Sequence, residues 1–89
     1  MTYEKSEEVL AKYKLLLKDN PPVKFESELK PSFEDAMSHC AWMIGEMEKM
    51  LEVYESRKFN RWLGFMQGVF FASNVFSINQ MRDHNRSEE

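Results

Sequence analysis

The stretch Phe33-Glu34-Asp35-Ala36-Met37-Ser38-His39-Cys40-Ala41-Trp42-Met43-Ile44-Gly45-Glu46-Met47-Glu48-Lys49-Met50-Leu51-Glu52-Val53-Tyr54 decides the fold. Within it Phe33, Met37, Cys40, Ile44, Met47, Leu51 and Tyr54 recur at spacings of 4, 3, 4, 3, 4 and 3 residues. That alternation lays seven apolar side chains along one side of a helix, and such a seam packs against another helix. Ser32 stands where its hydroxyl caps the first turn, Asp35 completes an approximate capping box, and Pro31 lies just outside. The spacing predicts a helix from Ser32 to about Glu55 or Ser56.

Downstream, Ser56-Arg57-Lys58 reads as a short turn, and short links between helices make antiparallel neighbours. A third helix follows over about Phe59 to Ser73, with Trp62, Phe65, Met66, Val69, Phe70 and Ser73 on one face. Gly64 and Gly68 lie four apart, and mid-helix glycine costs about 0.5–1 kcal/mol relative to alanine. Close approach of a facing backbone is the reason expected for them. Asn74 is the expected left-handed stop. Ser77-Ile78-Asn79-Gln80 has the form of a second capping box, opening a short final helix through Met81 and Arg82. His84 to Glu89 is polar and expected to fray.

Upstream, Tyr3, Val9, Leu10, Tyr13, Leu16 and Leu17 recur at helical spacing from Thr2 or Tyr3 to about Lys18. Asp19-Asn20-Pro21-Pro22 ends that helix, because two prolines remove backbone donors and push the residue before them out of helical space. Val23, Phe25, Ser27 and Leu29 then alternate with Lys24, Glu26, Glu28 and Lys30. This suits an extended connector that lays Phe25 and Leu29 on the helices; an edge strand across a dimer is the alternative. The expected architecture is therefore all-α in one domain, residues 1–89. An antiparallel helical hairpin, about 32–56 and 59–73, is joined to an N-terminal helix, an extended connector and a short C-terminal helix.

Composition narrows the function. The chain has 89 residues, 30% charged and 43% hydrophobic, with a net charge of −3. That charge supplies no overall field for nucleic acid or anionic lipid. A domain this small gains from burying surface against a second copy, so a homodimer is expected. Cys40 is the single cysteine, which rules out an intrachain disulfide and fits a reducing compartment. The acidic start lacks the pattern of a signal peptide, and no run approaches the ~18 apolar residues of a spanning helix. A cytoplasmic protein with no membrane partner is the expectation.

Several groups could carry function. His39, Trp42, Met43, Glu46 and Met50 form a second stripe off the seam, suited to a partner or dimer interface, although packing against the first helix would bury Trp42, Met43 and Met50 equally well. Arg57, Lys58 and Arg61 cluster at the hairpin tip, where they could contact phosphate, with Phe59 and Trp62 near enough to stack a base. Arg82, His84 and Arg86 form a second basic group. A metal site would draw on Glu48, Glu52 and Glu55 with Glu46 and His39, but it needs a matching ladder from another helix, so a solvated face is the simpler reading. Adjacent residues on a helix point about 100° apart, so His39 and Cys40 do not make a nucleophile and base. No enzyme, cofactor or metal is expected.

The run Asn60-Arg61-Trp62-Leu63-Gly64-Phe65-Met66-Gln67-Gly68-Val69 resembles small uncharacterised helical proteins encoded by tailed bacteriophages. That family shares a His-x-x-Trp-Met element, here His39, Trp42 and Met43, then a turn, an Arg-Trp-Leu-Gly-Phe-x-Gln-Gly helix and a cap containing Ser-Ile. The tail from Ser77 to Arg86 matches in style. The likeness covers about Ser38 to Arg86 and leaves the first thirty residues outside it. It implies a context and no activity: small early phage proteins bind a host enzyme or defence component stoichiometrically. The leading expectation is a dimeric, non-enzymatic protein that modulates or inhibits a host defence, transcription or replication protein in the bacterial cytoplasm. A nucleic-acid or nucleotide binder using the basic tip stands second, and a small metal protein or enzyme third.

Overall fold

A computed structural model describes residues 2–86. The chain is all-helical: α1 (Tyr3–Leu16), α2 (Phe33–Glu52), α3 (Ser56–Ala72) and α4 (Ile78–Asn85), with no strand among the described residues. Residues 87–89 of the tail expected to fray lie outside the described residues.

Three of the four helices, α1, α2 and α4, start on a side-chain cap, while α3 has none. The Thr2 hydroxyl accepts from the Lys5 N–H at the head of α1. At α2 the capping box is complete: the Asp35 N–H donates to Ser32 Oγ at 3.1 Å, and the Ser32 N–H to Asp35 Oδ2 at 3.3 Å. Ser77 and Gln80 repeat this at α4 with 3.1 and 2.8 Å. Such caps satisfy amides that the first turn leaves without partners.

Two helices end in the same way. Asn74 follows α3 with φ 63°, and the Val75 N–H donates back to the Phe70 carbonyl at 2.8 Å. After α2 the left-handed residue is Tyr54, φ 57°, and the Glu55 N–H reaches the Met50 carbonyl at 2.8 Å. Both are Schellman closures. The closure at Tyr54 ends α2 at Glu52, earlier than the periodicity suggests, and turns Tyr54 outward at 75% exposure. Ser56, Arg57 and Lys58 are not a turn but the first residues of α3; the link between the helices is Val53–Glu55.

Helix α2 is the centre of the core. Met37, Cys40, Ile44, Met47 and Leu51 are buried, as the seam predicts, while Phe33 at its start is 53% exposed. Met43 and Met50 are buried as well, at 4% and 7% exposure. The two methionines placed on an interface stripe are core residues, because α2 has neighbours on two sides. Ile44 faces Leu17, just past α1, whereas Met43 faces Trp62 and Phe65 of α3. A helix flanked twice buries a wider stripe than a single heptad seam. The ring pairs His39 with Phe65 and Trp42 with Trp62 run in opposite chain senses, so α2 and α3 pack antiparallel.

Helix α1 buries Ser6, Val9, Leu10 and Tyr13, with Leu17 just beyond; Leu16 is exposed. The connector is irregular, extended to Glu26 and then turned by a Leu29 N–H to Glu26 carbonyl bond of 3.2 Å. Phe25 is half-buried, but Leu29 points outward at 61% exposure. On α3 the inward residues are Phe59, Leu63, Met66, Gln67 and Phe70, and Phe65 is 56% exposed. Gly64 and Gly68 sit on that outer side, and a Cβ added at either would meet nothing within 4 Å. No backbone of the described residues approaches them, contrary to the expected groove.

Helix propensity alone then governs these two positions. Gly64→Ala and Gly68→Ala are each expected to stabilise the chain by about 0.5–1 kcal/mol in urea denaturation, and a loss would contradict the open surroundings. Asn74→Ala is expected to cost about 1 kcal/mol, while Asn74→Gly keeps the closure.

Candidate functional site

The connector meets α2 through two hydrogen bonds. The Val23 N–H donates to the Ser38 carbonyl at 3.2 Å, and the Phe25 N–H to His39 Nδ1 at 3.1 Å. Lys24, held between them, places its Nζ 5.3 Å from the Trp42 ring centroid. Trp42 lies 5.8 Å from Trp62 and 5.4 Å from His39, centroid to centroid. The Lys58 Nζ stands 5.7 Å from the Trp62 ring, which puts the two lysines in range for cation–π attraction.

These side chains border a groove of about 360 Å³, lined by Lys24, His39, Trp42, Met43, Arg61, Trp62 and Phe65. Phe65 is its most exposed aromatic wall. The ion pairs of the described residues join Lys5 to Glu8, Lys14 to Glu48, Lys49 to Glu46 and Arg86 to Asp83. Lys24, Lys58 and Arg61 enter none of them. Three cations thus surround an aromatic groove with no carboxylate bound to them.

The residues expected to act together separate here. His39 and Trp42 stand in the groove, with Met43 behind them in the core. Glu46 is half-buried, pairs with Lys49 at 3.0 Å, and lines a second groove of about 450 Å³ that it shares with Leu17 and Trp42. Of the basic cluster, Arg61 lines the groove and Lys58 covers Trp62, whereas Arg57 is exposed and is not among the groove's lining residues. Phe59 is 1% exposed and presents no face to a base. In the terminal basic group Arg86 pairs with Asp83, and His84 packs on Phe76 at 4.6 Å between centroids. Cys40 is fully buried and burial pushes its thiol up to about 11, so it is an inert part of the seam.

Two groove residues escaped the periodicity. Lys24 falls on the solvent side of an alternating segment, and the two tethers to Ser38 and His39 bring it to Trp42. Phe65 shares a helical face with Met66 and Phe70 by spacing, yet those two are fully buried while Phe65 is 56% exposed.

A second polar cluster docks α4. Gln67 Nε2 donates to the Tyr13 hydroxyl at 3.0 Å and to Asn85 Oδ1 at 2.8 Å, and Asn85 Nδ2 returns a bond to Gln67 Oε1 at 3.1 Å. The Tyr13 hydroxyl proton is left for His84 Nδ1, 2.7 Å away. His84 therefore serves as an acceptor, which requires a neutral ring.

Comparison with family models, curated proteins and solved structures finds no match.

Both histidines act as acceptors at Nδ1, so acid opposes both contacts. Burial lowers the pKa of His84 from its ordinary 6.5; Lys12 and Lys5 add to the shift and Asp83 opposes it. Burial, then Lys24, lowers that of His39 from the same value. In each case the unfolded chain takes its proton at higher pH than the folded one. Their contribution is thus complete above about pH 6.5 and disappears as pH falls through the lower folded values. Denaturation midpoints are expected to fall between about pH 7.5 and 5.5, and the decline should flatten in His39→Gln/His84→Gln, whose amide oxygens still accept. An equal decline in that variant would show that other groups are responsible.

Proposed function

We propose that this chain is a non-enzymatic protein-interaction module, encoded by a phage, that binds a host protein stoichiometrically in the bacterial cytoplasm and modulates or inhibits it. The observation that carries the reading is the groove between α2 and α3, where Trp42, Trp62 and the exposed Phe65 meet Lys24 and Arg61. Aromatic and arginine side chains of this kind dominate the energy of protein interfaces. Trp42 and Trp62 pack on the rim of the core, and Phe65 stands 56% exposed beside cations that enter no ion pair among the described residues.

The likeness to phage proteins supports the context, since its elements fall on the groove residues His39, Trp42, Arg61, Trp62 and Phe65. Self-association belongs to the same reading, because 89 residues bury a modest core. No helix of the described residues is long and apolar enough to cross a membrane.

Affinity capture from lysate of a bacterial host tests the reading. A host protein recovered with the wild type at constant stoichiometry should be lost with Phe65→Ala, a change on the surface that leaves the core intact. Recovery of the same proteins by both chains, or of none by either, would remove it. For the dimer, light scattering at high micromolar concentration decides, and a strict monomer ends that part.

A further inference from the structure

We propose that the groove of Lys24, Trp42, Arg61, Trp62 and Phe65 receives an acidic protein segment carrying one bulky apolar side chain, with carboxylates meeting Lys24 and Arg61. This rests on the binding role proposed above and names the chemistry of its partner.

Charge complementarity is the first argument. The chain as a whole is acidic, at −3, yet the groove gathers Lys24, Lys58 and Arg61, none of which enters an ion pair among the described residues. Its neighbours are rings, not carboxylates. Arg61 is the group best suited to the task, since a guanidinium presents a planar fork that matches a carboxylate at two points. Lys24 lines the same groove, its backbone fixed by the Val23 and Phe25 amides bonded to α2. A segment with acids on both sides of an apolar anchor satisfies the two cations at once.

Size and wall chemistry are the second argument. A volume of about 360 Å³ falls near the bottom of the range of roughly 300–1,000 Å³ usual for ligand sites, enough for a bulky side chain and its flanks. Trp62 and Phe65 offer ring surface, with Met43 behind them in the core. Methionine behind aromatic walls adapts to differently shaped apolar side chains.

Nucleic acid fits less well. Bases stack on open aromatic faces along a cationic track. Here Lys24 and Lys58 stand over the two indoles, Trp42 packs on His39 and Trp62, and Phe59 is buried. Only three of the twelve Lys and Arg residues stand at the groove, and the net charge of −3 opposes a polyanion over the rest of the chain.

Selection from a displayed library of short random peptides, on the wild type with counter-selection on Phe65→Ala, tests the proposal. The expected winners place Asp or Glu on both sides of a Leu, Phe, Ile or Trp. Measured by fluorescence polarisation at low salt, their affinity should fall about tenfold or more in Lys24→Glu/Arg61→Glu, the loss shrinking as salt is added, and should be unchanged in Arg57→Ala. Circular dichroism melting confirms that each variant folds. The proposal is overturned by no enrichment that depends on Phe65, by winners without acidic bias, or by labelled oligothymidine binding that Lys24→Glu/Arg61→Glu abolishes. A wild-type dimer that Phe65→Ala dissociates would also overturn it, assigning the groove to a second copy. Lysate capture that depends on Phe65 while acidic peptides fail leaves the host-partner reading and removes the acidic class alone.

Discussion

The burial of α2 between α1 and α3 is the constraint on which the other features depend. Cys40 and Met47 lie on its deepest line and are fully buried; Ile44 faces α1 and Met43 faces α3. Each fully buried side chain of this size contributes roughly 1.5–3 kcal/mol by leaving water, so the seven buried residues of α2 outweigh any surface ion pair of the chain. With α2 fixed from both sides, the rotation of α3 follows. Phe59, Leu63, Met66 and Phe70 must face inward, which leaves Phe65 turned to the surface.

The legible parts of the sequence were those with short-range causes. Ser32 with Asp35, Ser77 with Gln80, and Asn74 each act within a few residues, and each does in the structure what its type and spacing imply. The inner seam was legible too, because its repeat runs for several turns. Its ends were not. Periodicity says which side of a helix is apolar but not where the partner stops, so Phe33 and Tyr54 continue the pattern into solvent. Nor does it count neighbours: Met43 and Met50 look like a spare stripe until α2 is known to be flanked twice. Gly64 and Gly68 show the same limit, since spacing identifies small residues on one face without revealing whether anything lies opposite. Of the groove, His39, Trp42 and Arg61 could be picked out by type. Lys24 and Phe65 depend on a fold between distant segments, which local pattern does not contain.

The anchoring of α4 follows another logic. None of its own residues is buried, and it is held by the polar chain from Asn85 through Gln67 and Tyr13 to His84, with Phe76 packed on His84. Removing one member of such a chain leaves a buried donor or acceptor unpaired at about 1–3 kcal/mol. Tyr13 carries most of this burden. Its ring is packed by Phe70 and Phe76 while its hydroxyl both accepts and donates, so a phenylalanine would keep the packing and strand Gln67. Directional bonds of this kind set the register of a short helix that apolar contact alone would leave free to slide.

The same device, a histidine accepting through Nδ1, gives the groove its definition. Lys24 is on an irregular segment after two prolines, where a free side chain would range widely and lose much of its entropy on meeting a partner. The amides on either side are bonded to α2, and Pro21 and Pro22 limit the backbone leading to them, so the cation is held over Trp42 before anything binds. Arg61 gains its position differently, from a helix whose inner face is fixed by the core. One cation is thus placed by a hydrogen-bonded clip and the other by hydrophobic burial, at a groove whose walls are largely rings. His39 supplies one of the two clip bonds and a groove wall, so acid that protonates it weakens the clip, leaves the Val23–Ser38 bond, and adds a positive charge beside Lys24.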